Sequence, residues 1–214
     1  MYLPAHFAEN RTEVLHALMR EYPLATVVMQ DDDGLAANHI PLQLARVSKD
    51  APLGVLQGHV ARANPFWQVG QPETELLMIF QGPQAYVSPA WYPSKAEHGK
   101  VVPTWNYVAV HARGRLVVRD DPLWLTGFLN GLVATHESKV NSLWTMADAP
   151  VDYIDKMMLA IVGFEIQITS LTGKWKVSQN RPAADRAGVA GALNSTDDLQ
   201  KSAMAKLVAP SDGG

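Results

Sequence analysis

The chain has no cysteine among its 214 residues. That single absence excludes disulfides, thiolate metal sites and cysteine nucleophiles, and it suits a reducing cytoplasm, where we expect the protein. Long apolar runs are missing as well. The longest, Met157 to Val162, falls far short of the roughly 20 residues of a membrane span, so no membrane partner is expected. The first residues, MYLPAHFAENR, lack the basic start and apolar core of a secretion signal. Gly and Pro, 15 and 14 residues, are too few for a collagen-like or low-complexity chain. No Gly-Lys-Ser/Thr, HExxH or GxSxG pattern occurs, which leaves P-loop, zinc-protease and serine-hydrolase chemistry without support. Charge is also scarce: 18% of residues carry one, and the net charge is −3. A nucleic-acid binder normally has a basic surface to displace phosphate counterions. Here basic residues gather only near the C-terminal end, where Lys174, Lys176, Arg181, Arg186, Lys201 and Lys206 outnumber Asp185, Asp197 and Asp198.

What is present is a chain 47% hydrophobic, broken into short periodic segments. Asn10 and Glu13 read as a capping box for a helix carrying Val14, Leu15, Leu18, Met19 and Tyr22, stopped by Pro23. Leu24 to Gln30 and Leu35 to Ala45 read as a hairpin about an acidic turn at Asp31, Asp32, Asp33 and Gly34. Leu53 to His59, Glu75 to Gly82 and Gln84 to Ser88 read as further strands. Alternation is clearest from Thr104 to Arg119, with Gly114 expected to bend that ribbon or mark a bulge. Asp120 or Asp121 with Pro122 starts a helix, and Pro150 opens another. Phe164 to Thr169 and Lys174 to Gln179 read as strands joined by a turn at Thr172-Gly173. A last helix, Asp197 to Leu207, is expected with Thr196 as its cap. Short strands with helices among them and no βαβ rhythm predict a mostly β, antiparallel barrel with peripheral helices.

Three segments are unusually rich in polar groups, aromatics and prolines. In Gly58-His59-Val60-Ala61-Arg62-Ala63-Asn64-Pro65-Phe66-Trp67, an imidazole, a guanidinium and an amide leave a strand end. That is a setting for holding a phosphate; the alternative is a capped turn with Arg62 in a local ion pair. Residues 81–95 and 102–107 bracket two aromatic pairs with prolines and place Lys95 between them. Such flat, rigid walls suit a planar ligand, or equally a subunit interface. The third, Lys174 to Arg181, reads as an exposed strand face with two cations and a hydroxyl, followed by three more hydrogen-bonding side chains; singly these suit a solvated strand edge, and together a second polyanion or polar-ring contact. His39, His59 and His111 lie on expected strands, which keeps a haem or metal role open, whereas His16 and His136 read as helix packing or capping residues. No residue stands out as a catalytic acid or base.

At these segments the sequence resembles a known family. MYLPAHF, NHIPL, GHVARANP, FQGPQAYVSPAWYPSK, VPTWNYVAVHARG and GKWKVSQNR are similar to the PaiB-like FMN-binding negative transcriptional regulators, in order from Met1 to about Leu193. The resemblance implies an FMN-binding split β-barrel related to the pyridoxamine-phosphate-oxidase-like flavoproteins, spanning 1–193, with a C-terminal helical tail at 194–214. It implies a homodimer with FMN at the subunit interface. Carried over by position, GHVARANP would grip the FMN phosphate through His59, Arg62 and Asn64. His39 would come from the preceding strand, while Lys95, Thr104, Trp105 and Asn106 would line the cleft and Lys176, Ser178 and Gln179 reach in from the last strand. The phosphate needs cations and amide donors; the flavin ring needs planar apolar neighbours. The function implied is transcriptional regulation responsive to redox state or a ligand. The alternatives are a flavin-dependent oxidoreductase and a haem-binding split barrel. No helix-turn-helix or basic face is legible to support direct DNA contact.

Overall fold

The structure, a computed structural model, describes residues 1–31, 33–45, 47–68 and 75–209. The chain forms two compact units: Met1–Tyr22, Gln81–His111 and Thr172–Gly214 make the first, and Pro23–Phe80 with Ala112–Leu171 the second. In chain order the elements are β1 (Ala8–Glu9), α1 (Thr12–Glu21), β2 (Leu24–Asp31), β3 (Gly34–Pro41), β4 (Gln43–Leu44) and β5 (Val55–Ala61). Then come β6 (Glu75–Val87), α2 (Ser94–His98), β7 (Thr104–Arg119), α3 (Pro122–Lys139), α4 (Val151–Leu159), β8 (Ile161–Lys176), α5 (Ala183–Asn194) and α6 (Leu199–Val208). The expected class, mostly β with helices, is the class found. β6, β7 and β8 each run on from one unit into the other.

The second unit carries the strand order β3-β2-β6-β7-β8-β5-β4. β2 and β3 pair antiparallel from Leu24↔Pro41 to Asp31↔Gly34, the hairpin expected from the acidic turn. Asp31 accepts from the Asp33 amide at 3.0 Å, and Gly34 takes a φ of +122° that an L side chain rarely adopts; Asp32 lies outside the described residues. β2 also pairs with β6 at Val27↔Met78, and β5 with β8 from Val55↔Gln167 to Ala61↔Ile161. The inward residues of these strands, including Ala25, Val27, Leu56, Met78, Phe80, Phe164 and Ile166, are almost fully buried. On β8, the alternation of apolar and polar residues up to Thr169 puts Phe164 and Ile166 there.

In the first unit α1 buries Leu15, Leu18 and Met19, and the C-terminal helices bury Val189, Leu193, Met204 and Val208. α6 is tied to α5 by Arg186, whose guanidinium donates to the carbonyls of Val208 and Ala209 at 3.0 and 2.7 Å. β1 pairs with the end of β8 at Ala8↔Lys174.

Several boundaries differ from the sequence reading. β6 runs unbroken through Gly82-Pro83, because Gly82 is a close approach rather than a turn. A Cβ there would meet Val108 Cγ2 at 2.6 Å and Leu18 Cδ1 at 2.7 Å. β8 likewise passes through Thr172-Gly173 without turning; a Cβ on Gly173 would run into the Leu15 side chain and the Glu9 carbonyl. Gly114 bears the same explanation, since its Cβ would strike the Gln167 backbone. α1 has no capping box: Arg11 is its N-cap, and Glu9 draws in the Arg11 amide and guanidinium instead. Asp198, not Thr196, caps α6 by accepting from the Gln200 and Lys201 amides. α5 was not expected at all, its Ala- and Gly-rich sequence giving no clear apolar stripe. The cap of α3 is as read, with Asp121 Oδ1 accepting from Trp124 N at 2.7 Å and Pro122 in the first turn.

Candidate functional site

The first unit concentrates polar side chains where the start of β7 meets the end of β8. Lys176 Nζ donates to Thr104 Oγ1 at 2.5 Å and to the Trp105 carbonyl at 2.9 Å. Asn106, alternating inward on β7 and 1% exposed, donates from Nδ2 to Ser178 Oγ at 2.9 Å. Ser178 is 4% exposed and holds a φ of +62°, a left-handed conformation that costs a non-glycine residue about 1–2 kcal/mol. The Gln179 side chain fixes that conformation. Its Oε1 accepts from the Val177 amide at 2.9 Å and its Nε2 donates to the Trp175 carbonyl at 2.5 Å. The Arg181 amide closes the turn on the Ser178 carbonyl at 2.9 Å. Thr104, Trp105, Asn106, Lys176, Ser178 and Gln179, six of the residues read as candidates, therefore come together.

The last strand is not the exposed face that its sequence suggested. Lys174 is 8% exposed, its Nζ donating to the Tyr2 carbonyl and standing 5.3 Å from the Tyr107 ring centre and 5.7 Å from that of Tyr2. Two ring faces and a carbonyl, rather than a carboxylate, surround this ammonium. Burial pushes the Lys176 ammonium below the usual lysine value, and the Lys174 charge adds to the effect while Tyr107 opposes it.

A cleft with room for about 90 Å3 opens here, lined by Phe7, Tyr92, Val102, Pro103, Thr104, Asn106, Lys176, Ser178, Asn180 and Arg181. Among the described residues no carboxylate lines it. The Arg181 guanidinium stacks on the Tyr92 ring, 4.9 Å from its centre. Tyr92 Oη is buried without a hydrogen bond of adequate geometry, although Arg181 and Ser178 lie beside it. Burial pushes the phenol up, with Arg181 pulling it back. Outside the cleft Tyr86 and Trp105, both about half exposed, form an edge-to-face pair at 6.1 Å, with Trp105 Nε1 donating to Gln84 Oε1 at 3.0 Å. Lys95 sits exposed on α2. Tyr92 and Arg181 stood inside the segments read as ligand walls and polyanion contacts, but the sequence did not single them out as individual contacts.

The second unit holds the remaining candidates. Every guanidinium nitrogen of Arg62 is engaged: Nη1 and Nη2 form a two-pronged pair with Asp120 at 2.9 and 2.7 Å, and Nε and Nη2 donate to the carbonyls of Leu159 and Ile161. Of the two readings of Arg62, the ion pair is the one seen, with a partner 58 residues away rather than local. Asp120 is held below the usual carboxylate range by that hydrogen bond. A cleft of about 270 Å3 is lined by Arg62 itself with Asp120, Asp155, Pro122, Leu125, Met158 and Leu159; with the guanidinium already paired to Asp120, a second carboxylate and apolar walls are poor company for a phosphate. Asn64 donates to Asn38 Oδ1 and accepts from the Phe66 amide, both at 2.9 Å, which caps the turn after β5. His39 lies exposed on β3, 3.1 Å from Thr26 Oγ1. His59 stands edge-on to Phe128 at 5.8 Å, and burial lowers its affinity for a proton. Among the described residues no cluster of His, Asp and Glu is arranged to hold a metal ion.

Comparison with known proteins agrees with this architecture. The family described as "Putative FMN-binding domain" matches residues 1–170. An uncharacterised protein of Emericella nidulans is 36% identical, the alignment covering 88% of each chain. The protease synthase and sporulation protein PAI 2 of Bacillus subtilis is 29% identical over 97% of this chain and 96% of its own. Among solved structures, the FAD- and haem-binding protein of Mycobacterium smegmatis aligns with a TM-score of 0.55 at 18% identity, covering 79% of this chain and 73% of that one. The flavocytochrome Anf3 of Azotobacter vinelandii aligns at 0.54 and 14%, covering 79% and 69%. At those identities the two structures establish the fold alone.

Fold and family together define a flavin-binding protein of the split-barrel class, with FMN as its cofactor. The chain belongs to the PaiB-like FMN-binding family. None of its described helices is long and apolar enough to cross a membrane.

Proposed function

We propose that this protein binds FMN as a homodimer and acts as a negative transcriptional regulator that responds to redox state or to a small ligand. The observation that carries the flavin site is the cleft of the first unit. It has two cations, five neutral hydrogen-bonding side chains, no carboxylate among the described residues, and an aromatic pair nearby. Those residues fit the polar end of FMN, and the buried, unpartnered Tyr92 hydroxyl marks a polar position still to be satisfied. At about 90 Å3, however, the cleft is well below the roughly 300–1,000 Å3 of ordinary ligand pockets. The shortfall supports a site completed by a second protomer. We assign the flavin-binding domain to 1–193 and treat 194–214 as an appended helical segment. His39, His59, Asn64 and Lys95 stay proposed contacts, within either protomer.

When bound, FMN would supply the redox chemistry; the chain's part is to bind and orient it. The regulatory role is supported by the near full-length similarity to PAI 2, and a cytoplasmic location by the absence of cysteine. A second reading, a flavin-dependent oxidoreductase, is favoured by the net charge of −3, which gives direct DNA binding little electrostatic help. The first test is the visible spectrum of the purified protein. Bands near about 370 and 450 nm belong to oxidised flavin; a haem Soret band would move the protein to haem binding. A colourless protein that also fails to take up added FMN would defeat the flavin reading. Mobility shift on promoter DNA at about physiological salt, surviving competitor DNA, would support direct regulation, and loss of binding there would favour the enzyme.

A further inference from the structure

The sequence motif GHVARANP points to Arg62 as the anchor for a phosphate, yet its guanidinium is fully engaged by Asp120 and two carbonyls. The six ion pairs among the described residues use Arg11, Arg62, Arg113, Arg119, Lys156 and Lys201. Lys174, Lys176 and Arg181 belong to none of them, and all three lie at the end of β8 and the turn beyond it. Lys174 is buried and Lys176 and Arg181 are half-buried; cations withdrawn from water are normally paired, so three gathered without a carboxylate partner among the described residues are an unfavourable arrangement. The nearby acid, Asp185, is 1% exposed. Its two oxygens accept from the Ser94 amide at 3.1 Å and hydroxyl at 2.7 Å, turning it to the start of α2.

We propose that the Lys176–Ser178–Arg181 cleft is a binding site for the dianionic head of a phosphate monoester. Lys176 and Arg181 supply the charge, and Ser178, Asn180 and Tyr92 the hydrogen bonds. Size and shape agree: about 90 Å3 admits a terminal group and excludes a three-ring system. The strained Ser178 backbone agrees too, because left-handed residues held by surrounding hydrogen bonds gather at ligand sites. Here the Gln179 side chain and the Arg181 amide hold it. A bound anion would give the buried Tyr92 hydroxyl its missing acceptor and relieve the repulsion between Lys174 and Lys176. Two sources have this chemistry, the 5′-phosphate of the flavin itself and a separate phosphorylated ligand. The inference rests on the proposed flavin site only for the first.

The test titrates the full-length, flavin-stripped protein with FMN, riboflavin and inorganic phosphate, for the wild type, Lys176→Gln, Arg181→Gln and Arg62→Gln. Flavin fluorescence reads the first two ligands and calorimetry the third. Arg181→Lys, which keeps the charge, and thermal melts separate binding from folding. If the flavin phosphate is the ligand, the wild type prefers FMN to riboflavin. Lys176→Gln and Arg181→Gln then lose about 10- to 100-fold for FMN, the worth of a charge-assisted contact, with riboflavin unchanged. If the ligand is separate, the flavin preference survives in both variants, phosphate binds alongside FMN, and its heat disappears in Arg181→Gln. Loss of the FMN preference in Arg62→Gln alone, with phosphate heats unchanged in Lys176→Gln and Arg181→Gln, would overturn the proposal. A wild type that binds neither flavin defeats the flavin reading, and the phosphate titration still decides this one: heat lost in Arg181→Gln upholds it, and no heat from the wild type ends it.

Discussion

Ser178 puts two opposing free energies on one residue. Its hydroxyl satisfies the amide of Asn106, which is out of contact with water, while its φ of +62° favours glycine. Ser178→Ala removes the hydroxyl and keeps the strain, so it should destabilise by about 1–3 kcal/mol, the cost of an unsatisfied buried amide. Ser178→Gly removes both and should lie about 1 kcal/mol closer to wild type. Urea denaturation checks the order; an Ala variant as stable as the Gly variant would mean that the turn carries no strain. His59 gives a pH test. Burial lowers its folded-state pKa from 6.5, so the unfolded chain binds the proton more tightly. Its contribution is fully present above pH 6.5 and is lost as pH falls through the lowered value. Asp120 and Glu9, held down by hydrogen bonds from Arg62 and Arg11, lose theirs at lower pH still. The urea midpoint of the wild type should therefore fall relative to that of His59→Gln between about pH 7.5 and 5.5. Parallel midpoints over that range would contradict it.

At the scale of elements, two glycines predict opposite signs. Gly114 on β7 faces the backbone of Gln167, which cannot swing aside as a side chain can. Gly114→Ala should cost about 1–3 kcal/mol. Gly127, exposed in the middle of α3 with nothing near its Cβ position, should gain about 0.5–1 kcal/mol as Ala. Thermal melts of the two variants check both, and a shift of the same sign would refute the distinction. The same physics explains what the sequence could and could not disclose. β7 was legible end to end because alternation is local, and α3 because its cap and first-turn proline are local. Gly82 read as a strand end, Gly114 as a bend or bulge and Gly173 as a turn because their real partners, Leu18, Gln167 and Leu15, are distant in sequence. The site divides the same way. Thr104 to Asn106 and Lys176 to Gln179 were recognisable as a polar set, but the burial of Lys174 and Ser178, and the capture of Arg62 by Asp120, are tertiary facts that no local pattern carries.

For the whole molecule, the proposed homodimer has a consequence that can be measured without locating the interface. Leu123, Val140, Leu143, Val151 and Leu159 are all exposed, Leu143 at 95%, and α4 buries none of its residues. These side chains lie on and around α3 and α4, where a protomer contact would withdraw them from water. Independently, the cleft of one protomer is too small to enclose a flavin. If both protomers build each flavin site, only the dimer binds FMN tightly, and mass action then links the two equilibria. Adding FMN should lower the concentration at which the protein dissociates, and dilution through that concentration should release flavin. By reciprocity, the factor by which FMN tightens the dimer equals the factor by which dimerisation tightens FMN. Sedimentation with detection at flavin wavelengths measures both, as the mass of the species carrying colour and as the free flavin at each dilution. Colour travelling with a single chain, at an affinity unaffected by dilution, would mean that each protomer holds its flavin alone.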